Sequence, residues 1–506
     1  MYITIINLGL KSVRAIVFDF EGNKIKTAAL PVNTILNGVR VEQSPEEWLD
    51  KTNQVLKEVT QDKQIRENIK YFSVTTSSSC FVPIDSRGSA TYNCMMVSDK
   101  RSKKESDLIN ASSWMKENGT AKNLSCNEAL MLPKALWLKN NEPESYKKTE
   151  KFVSPNDFLI NYLTGNVVTD PLNAEKFFYN SDEKSYPEAL LNEIGIDSNL
   201  LPEVRDIGEN IGSINTTIAE EYGLQKNVEV IVSTYDAICA FWGSGGGKTG
   251  SACEVSGTVT SLRMLLDTKT IRKNLYTQKS GVSGKYLLGG SNNLGGGLIE
   301  WTKQAFYAKE DYAYEVMEKE AKESSVGADG VIFLPYLMGE RAPLWNDEAR
   351  GVFFGLERQH NRKDFTRAIF ESAGFSVKTI LEILETANSD LNQIRVSGGL
   401  TRVSFINQIK ADIYNKEILV CDEFETTALG ALMLVLITVN NEKMESISSI
   451  SKIREIILPN PKNVKVYQEV FGLYKELYSA LLPLYKKRTT LVSNIYDDLQ
   501  DKIENL

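Results

Sequence analysis

Alternating apolar and polar stretches at the start of the chain predict a β-meander. Residues 2–9 and 13–20 are apolar runs of strand length, and the segment Gly9–Ser12 between them has the composition of a tight turn. The polar segment Glu21–Asn23 then predicts a second turn into a third strand. The chain is therefore expected to open with strands that follow one another directly.

The next periodic segment predicts a helix and then further strands. Ser44 is a favourable N-cap, Pro45 suits the first helical position, and Glu47 lies three residues after the cap, so an amphipathic helix is expected to about residue 60. Strands are predicted at 70–76 and 80–84. A meander followed by a helix and a strand indicates an α/β domain rather than a Rossmann βαβ unit.

The strand pattern starts again near the middle of the chain. After the glycine cluster 243–248, residues 250–256 and 259–265 form two predicted strands around a small turn at Ser256–Thr258. A later strand at 394–399 ends in two glycines. The two halves therefore look like variants of one plan.

Length and composition agree with two globular domains. A chain of 506 residues is too long for one ordinary core, and its 42% hydrophobic and 25% charged residues are typical of globular proteins. We place the boundary in the glycine cluster, which gives domains 1–245 and 246–506, the second ending in a charged helical tail. The net charge of -8 argues against nucleic acid as the main partner, because binding to a phosphate backbone needs a surplus of Lys and Arg.

The sequence favours neither a membrane protein nor a thiolate metal site. No apolar run is long enough to span a bilayer, and the N-terminus lacks the basic lead and the cleavage site of a signal peptide, so we expect a cytoplasmic protein. Six cysteines occur without a CxxC pair, which predicts free and mostly buried thiols. Because His360 is the only histidine, neither a Ser-His-Asp triad nor a histidine-rich metal site is expected.

Five parts of the chain resemble the FGGY family of carbohydrate kinases. These are Met95–Arg101, Phe333–Pro343 with Gly351–Leu356, Arg367–Gly374, Val396–Leu400 with Gln408 and Ala411–Asp412, and Glu425–Gly430. The first is similar to a segment at that family's sugar site, and the fourth is similar to its adenosine-binding segment. The matches occur in the family's order and span residues 3 to about 435.

The resemblance implies a fold and an activity. The strand-turn-strand opening of each half resembles the superfold of sugar kinases, chaperones and actin. This implies two ribonuclease H-like α/β domains, each with a central mixed β-sheet flanked by helices, around a deep cleft. The implied activity is ATP-dependent phosphorylation of a small sugar or polyol, with Mg²⁺ as the metal and a homodimer left open.

Asp236 matches the family's general base. It follows the predicted strand 228–233, and a carboxylate there could take the proton of a sugar hydroxyl as it attacks the γ-phosphate. Outside the family context, an aspartate in this position is usually a helix N-cap.

The resemblance implies nucleotide contacts at glycine-rich turns. The residues are Gly257, Thr258, Gly296, Gly398, Gly399 and Gln408. Glycine lets a ligand approach the backbone, and helix starts offer N–H groups to phosphate. The alternative explanations are a hairpin turn at Gly257–Thr258, a strand-ending turn at Gly398–Gly399 and a plain helix entry at Gly295–Gly297.

The first phosphate loop departs from the family pattern. The family reads Asp-x-Gly-Thr followed by Ser or Thr, whereas this chain reads Asn7-Leu8-Gly9-Leu10-Lys11. Asn7 lacks the carboxylate that would help to hold Mg²⁺, which leaves the metal ligands unknown, and Leu10 lacks a hydroxyl. Gly9 still permits the turn, and Lys11 either reaches a phosphate or is a solvated turn residue.

Sugar-binding residues are predicted at two places. Ser77, Ser78 and Ser79 offer hydroxyls that could bind a sugar, although a polar strand end explains them equally well. Asp99 and Arg101 could bind sugar hydroxyls or pair with each other. Xylulose kinases of the family carry a Met-His pair in the stretch that matches 75–79, and this chain has neither residue there.

Three functional hypotheses follow. The first is a kinase for a pentulose such as xylulose, or for a similar polyhydroxy compound. The second is a weakened relative that binds sugar or nucleotide as a regulator; Asn7 and Leu10 favour it, and Asp236 opposes it. The third is an actin-like or chaperone-like ATPase, against which the stretch 333–356 discriminates because fold alone does not give function.

Overall fold

The computed structural model describes residues 1–122, 125–282, 284–423 and 425–504, with the side chains of all of these except 120–122 and 496–504. The described strands are β1 (Tyr2–Leu8), β2 (Ser12–Phe18), β3 (Lys24–Pro31), β4 (Ile35–Asn37), β5 (Arg40–Gln43), β6 (Ile69–Thr76), β7 (Val82–Ile84), β8 (Cys94–Met95), β9 (Lys151–Val153), β10 (Val168–Thr169), β11 (Glu203–Val204), β12 (Asn210–Ser213), β13 (Glu229–Ile231), β14 (Ala252–Ser256), β15 (Thr260–Leu266), β16 (Tyr276–Lys279), β17 (Tyr286–Ser291), β18 (Ile332–Leu334), β19 (Val352–Phe354), β20 (Gln393–Ser397), β21 (Glu417–Cys421) and β22 (Ile453–Ile457).

The described α-helices are α1 (Pro45–Val59), α2 (Lys63–Asn68), α3 (Lys103–Ala111), α4 (Ser113–Lys122), α5 (Met131–Asn141), α6 (Pro143–Lys148), α7 (Pro155–Thr164), α8 (Pro171–Ala174), α9 (Glu188–Ile194), α10 (Thr216–Tyr222), α11 (Asp236–Gly243), α12 (Gly296–Phe306), α13 (Ala313–Glu323), α14 (Arg362–Glu385), α15 (Ser404–Tyr414), α16 (Thr426–Val439), α17 (Met444–Ile447) and α18 (Pro461–Glu504). Among the described residues, no helix is long and apolar enough to cross a membrane.

The first compact unit contains a six-stranded mixed sheet. Its strand order is β12-β13-β6-β1-β2-β3, in which β1 pairs antiparallel with β2 and parallel with β6. The predicted tight turn is present, because the Gly9 amide donates to the Ser12 carbonyl at 3.0 Å between the two strands. The alternating apolar residues of β1, β2 and β6 are buried against α1 and α7, which explains the strand pattern in the sequence.

The helix predicted after Ser44 is α1. Of the two predicted capping residues, Ser44 caps the helix and Glu47 does not. The Ser44 hydroxyl accepts from the Glu47 amide at 3.2 Å, as an N-cap does. The Glu47 carboxylate, however, accepts from Asn33 rather than from the cap residue. In a capping box, Glu47 would also accept from the Ser44 amide. Here it accepts from Asn33 instead and so holds the loop before α1.

The first unit is completed by a segment from late in the chain. It comprises Met1–Gly243, Gly281–Gly284 and Thr426–Ile450, so α16 and α17 belong to it. A single division at 245/246 would place these helices in the other domain. The contact that joins α16 to the first unit is a close crossing with α11, where a Cβ on Gly243 would lie 1.9 Å from the Thr426 carbonyl oxygen and one on Gly430 would lie 1.7 Å from that of Cys239.

The second compact unit contains a seven-stranded mixed sheet. It comprises Ser244–Ser280, Lys285–Glu425 and Ser451–Leu506, and its strand order is β16-β17-β15-β14-β20-β21-β22. Strand β14 pairs antiparallel with β15 and parallel with β20, as β1 does with β2 and β6 in the first unit. The two units therefore repeat one plan, in which a hairpin strand is flanked on its other side by a parallel strand.

Candidate functional site

The segment that the sequence predicts to be the first phosphate loop lies at the carboxyl end of β1. Asn7 is buried and is paired in register with Thr75 of β6. The buried side-chain amide of Gln43 donates to the Leu10 carbonyl at 2.9 Å and so fixes the turn that follows β1. The side chains of Leu10 and Lys11 are exposed. Asn7 is therefore part of the sheet end, whereas Lys11 is at the surface of this unit.

The three predicted serines continue from β6 beside this turn. The Ser77 amide donates to the Leu8 carbonyl at 3.2 Å, which extends the pairing of β6 with β1. Ser79 has a positive φ of 61°, an uncommon conformation for a residue with a side chain. Ser78 and Ser79 approach each other through their hydroxyls at 3.3 Å, and the Ser77 hydroxyl is buried without a hydrogen-bond partner. The serine segment therefore begins beside Leu8, the residue that follows Asn7.

Asp236 is the first residue of α11 and is half-buried. The carbonyl of Tyr235 accepts the first helical bond, from the Cys239 amide at 3.2 Å, so Tyr235 holds the N-cap position and Asp236 does not. The Tyr235 ring is buried, and the Lys176 ammonium lies over it at 5.0 Å. The alternative explanation of Asp236 as an N-cap therefore does not describe this helix.

The loop that delivers Asp236 is held by a buried carboxylate. The Thr234 hydroxyl donates to Asp170 Oδ1 at 2.8 Å, and Asp170 also accepts from the Asn173 amide side chain at 2.6 Å. Burial raises the pKa of Asp170. Because a buried carboxylate is stable only when it is well hydrogen-bonded, this network restrains the two residues before Asp236.

Electrostatics connect Asp236 to the serine segment. The pKa of Cys80 is lowered, chiefly by a hydrogen bond from the Cys94 thiol, and the negative charge of Asp236 opposes this shift. Cys80 directly follows Ser79. Strand β13, which leads to Asp236, pairs parallel with β6, which leads to the serines, and β6 pairs with β1, so the three segments follow neighbouring strands of one sheet.

The structure pairs Asp99 and Arg101 with each other. Arg101 Nη2 lies 2.6 Å from Asp99 Oδ2, and Arg101 Nη1 lies 2.6 Å from Glu42 Oε1. The guanidinium also stacks over the Trp137 ring at 4.9 Å, and Asp99 accepts from the Val41 amide at 2.7 Å. Both charged groups are thus engaged within the protein, as one of the two explanations from the sequence expected.

A buried lysine that the sequence interpretation missed joins these segments. Lys134 of α5 is 0% exposed, and its ammonium donates to the carbonyls of Ser79, Met96 and Ala129 at 2.7, 2.8 and 3.1 Å. The available signal was a single charge within the apolar run Met131–Leu138, which is typical of a buried lysine with polar partners.

In the second unit, the predicted glycines converge on the turn between β14 and β15. The Gly295 amide donates to the Thr258 carbonyl at 2.8 Å, and the Gly296 amide donates to the Gly257 carbonyl at the same distance. The turn residues Gly257 and Thr258 are themselves exposed. The loop before α12 therefore supports the turn from behind and leaves its outer side open.

The turn after β20 approaches the same place. Gly398 has a φ of 92°, and a Cβ there would lie 2.4 Å from the Ser256 carbonyl oxygen. A Cβ on Gly399 would meet no atom within 4 Å. Gly398 is thus required by the close approach of two backbones, whereas Gly399 faces open space.

Below this turn lies a buried ion pair that the sequence interpretation also missed. The Lys410 ammonium contacts Glu254 Oε1, and both side chains are almost completely buried. The Tyr414 hydroxyl donates to Glu254 Oε2 at 2.9 Å, and the Ser256 hydroxyl donates to Glu254 Oε1 at 2.8 Å. The strand that ends in the turn is therefore anchored to α15.

Gln408 of α15 donates to Asp412 and to the Leu458 carbonyl, so its amide is engaged within the unit.

Comparison with known proteins identifies both halves of the chain. Residues 2–243 match the N-terminal domain of the FGGY family of carbohydrate kinases, and residues 254–439 match the C-terminal domain of the same family. The chain is 27% identical to a xylulose kinase of Lactococcus lactis over 94% of its own length and 96% of that protein. It is 30% identical to a glycerol kinase of Thermococcus gammatolerans over 90% of its length and 93% of that protein.

The fold is shared with a solved sugar kinase. A ligand-bound xylulose kinase from Lactobacillus acidophilus superposes with a TM-score of 0.86 at 24% identity, covering 96% of this chain and 99% of that one. The predicted architecture, an α/β protein with two mixed sheets of the actin and sugar kinase superfold, is confirmed.

Proposed function

Because the chain belongs to the FGGY family of carbohydrate kinases, we propose that it transfers the γ-phosphate of ATP to a hydroxyl of a small sugar or polyol, with a pentulose such as xylulose as the first candidate. The observation that carries this proposal is the placement of Asp236 at the first position of α11, on a loop restrained by the buried bond between Thr234 and Asp170. The similarity to a xylulose kinase over 94% of the chain supports the choice of substrate.

In the proposed reaction, Asp236 acts as the general base. Its carboxylate takes the proton of the sugar hydroxyl while the hydroxyl oxygen forms a bond to the γ-phosphorus. The bond between that phosphorus and the β,γ-bridging oxygen breaks, and ADP leaves. Phosphoryl transfer depends mostly on positioning and on stabilisation of the phosphate charge, so the restrained loop before Asp236 serves the reaction directly.

The second unit would hold the nucleotide. The phosphates would lie against the exposed turn Gly257–Thr258, and Gly398 would let the turn after β20 pack closely on Ser256 beside it. The residues fit a nucleotide because Gly257 and Thr258 are exposed and Gly399, whose Cβ would meet no atom within 4 Å, leaves open space beside them. The loop before α12 contributes to the binding by fixing the turn through Gly295 and Gly296.

Magnesium has weaker support from the protein. At the end of β1 the chain offers the amide of Asn7 rather than a carboxylate, so a bound Mg²⁺ would rely mainly on phosphate oxygens and water. The exposed Lys11 would supply part of the positive charge beside the phosphates. We propose that this altered loop lowers metal affinity without preventing the reaction.

The direct test is release of ADP over a panel of acceptors. D-Xylulose, other ketoses, polyols, aldonates and autoinducer-2 are offered with ATP, in the presence of Mg²⁺ and of Mn²⁺. We expect turnover with at least one ketose or polyol. Asp236→Asn should lower that turnover by about 10²–10⁴-fold while calorimetric binding of sugar and nucleotide is retained, because the amide keeps the shape but cannot accept the proton.

Two further variants complete the test. Asp107→Asn, which removes a carboxylate 59% exposed on α3, is the matched control and should leave turnover unchanged. Asn7→Asp should raise turnover and strengthen its dependence on Mg²⁺, since it restores a hard oxygen ligand. Turnover that survives Asp236→Asn would refute the assignment of the base. Tight ligand binding without turnover in wild type and in Asn7→Asp would instead support a regulatory role.

A further inference from the structure

Lys134 occupies an unusual electrostatic position. Its side chain is completely buried in α5, and its three hydrogen bonds go to the neutral carbonyls of Ser79, Met96 and Ala129. No carboxylate forms an ion pair with it in the described part of the chain. A buried ammonium is strongly disfavoured unless its protons are well bonded, so three aligned carbonyls indicate a site shaped around this cation.

The three acceptors belong to separate segments of the chain. Ser79 ends the serine segment next to Asn7, and its positive φ is an uncommon conformation that persists only when the surroundings fix it. The bond from Lys134 at 2.7 Å is such a constraint. The Ala129 bond ties the same ammonium to the loop that leads into α5.

The second acceptor connects Lys134 to the other predicted sugar segment. The Met96 carbonyl accepts both from Lys134, at 2.8 Å, and from the Asp99 amide, at 3.1 Å. The turn that carries Asp99 and Arg101 therefore starts at an atom held by Lys134. One ammonium thus connects the two segments to which the sequence assigns sugar contacts.

From these contacts we propose that Lys134 is a positioning residue for the sugar: it fixes the serine segment and the Asp99 turn relative to each other and so sets the shape that the acceptor meets. This proposal rests on the kinase function proposed above. It predicts an effect on the sugar rather than on the nucleotide, because every acceptor of Lys134 lies in the first unit.

The protonation state of Lys134 makes the arrangement of the two segments depend on pH. Burial lowers the pKa of Lys134 to about 8, while charges on Cys80, Cys94 and Asp99 favour the protonated form and Arg101 opposes it. When the segments open, the amine returns to the ordinary lysine pKa of about 10.4 and therefore binds more protons than it does in the closed arrangement. We therefore expect the two segments to become better protected as the pH rises from about 8 to about 10.

The experiment compares Lys134→Met with Lys139→Met in the full chain. Lys139 is the matched control, because it lies on the same helix and donates to a single carbonyl, that of Gly195. Hydrogen–deuterium exchange followed by mass spectrometry measures the peptides that contain 77–80 and 95–99. Lys134→Met should raise their exchange by about tenfold or more, with peptides of the second unit unchanged, and Lys139→Met should not.

Kinetics with D-xylulose provide the functional half of the test. Lys134→Met should raise the KM for the sugar by about tenfold or more, with the KM for ATP within about twofold of wild type. If D-xylulose is not turned over by wild type, the proposed substrate fails, and the exchange measurement still decides the role of Lys134. Unchanged exchange in both peptides would overturn the proposal, as would equal increases in the KM values of sugar and ATP.

A pH series on wild type covers the case in which Lys134→Met does not fold. After correction for intrinsic exchange, protection of the peptides containing 77–80 and 95–99 should rise between roughly pH 8 and 10, while that of the second unit stays constant. Constant protection of those peptides across this range would overturn the proposal.

Discussion

Two candidate binding surfaces, one around Asp236 in the first unit and one around the turn Gly257–Thr258 in the second, are built in opposite ways. In the first unit, the segments proposed to act in catalysis and sugar binding are held by buried polar groups: Asp170 bonds Thr234 before Asp236, and Lys134 bonds the Ser79 carbonyl. In the second unit, the surface is backbone, and Gly398 shapes it by lacking a side chain. A site of the first kind fails when a buried partner is removed, whereas one of the second kind fails when an atom is added.

Beneath both surfaces lies a buried lysine, and the partners of the two lysines differ in charge. Lys410 contacts the carboxylate of Glu254, whereas Lys134 donates only to neutral carbonyls. Removing the first lysine would leave a charge buried without its counter-ion, and removing the second would leave only neutral acceptors. The comparison therefore predicts an order of effects on stability.

The largest expected effect is that of Lys410→Met. Losing one partner of a buried ion pair costs about 3–5 kcal/mol in the free energy of unfolding, because Glu254 stays buried and charged. The control is Lys416→Met, which removes a partly exposed ion pair with Glu385 and should cost about 1 kcal/mol or less. Urea unfolding of the two variants measures the difference. Equal losses, or a larger loss from Lys134→Met than from Lys410→Met, would contradict the comparison.

The next effect tests the backbone surface. Gly398→Ala places a Cβ 2.4 Å from the Ser256 carbonyl oxygen in a residue with a positive φ, so the turn must shift. We expect a loss of roughly 1–2 kcal/mol or more in stability and about tenfold weaker binding of ADP by calorimetry. Gly399→Ala, which adds the same atom one residue later into open space, should change stability by less than about 0.5 kcal/mol. Similar behaviour of the two alanine variants would show that the close approach is unimportant.

The last effect concerns a buried acid of the first unit and is the smallest within any one pH unit. Burial raises the pKa of Asp157, in the capping box of α7, to about 8. Since the folded protein then binds a proton that the unfolded chain has released, the free energy of unfolding should fall by about 1.4 kcal/mol per pH unit as the pH rises from roughly 5 to 8. Asp157→Asn, whose amide oxygen can still accept from the Ser154 amide, should make this slope shallower, and the exposed control Asp107→Asn should keep it. The measurement is chemical unfolding at several pH values. Equal slopes of the unfolding free energy with pH in the two variants would mean that Asp157 is charged throughout, and would contradict the prediction.

Much of the fold was predictable because the signals are local. The turn at Gly9, the cap at Ser44 and the hairpin around Gly257 each depend on a few neighbouring residues, and the structure has all three. The close approach at Gly398 agrees with the sequence expectation for a glycine that ends a strand.

The buried partners could not be predicted because they are distant in sequence. Glu254 and Lys410 are 156 residues apart, and Lys134 is 55 residues from Ser79. A single charge in an apolar run signals burial but does not name its partner. Likewise, the residue types of Asp99 and Arg101 allow both ligand binding and mutual pairing, and only the packing of Glu42 and Trp137 around them shows the pairing.

The crossing of α11 and α16 has a consequence for synthesis of the protein. The first unit begins with Met1 but needs α16, which starts at Thr426, to cover α11. At translation rates of about 5–20 residues per second, the ribosome needs on the order of 10–40 s to make the residues between the two helices. During that time the apolar face of α11 has no native neighbour from α16. The unit that emerges first from the ribosome can therefore be completed only after Val439 has been made.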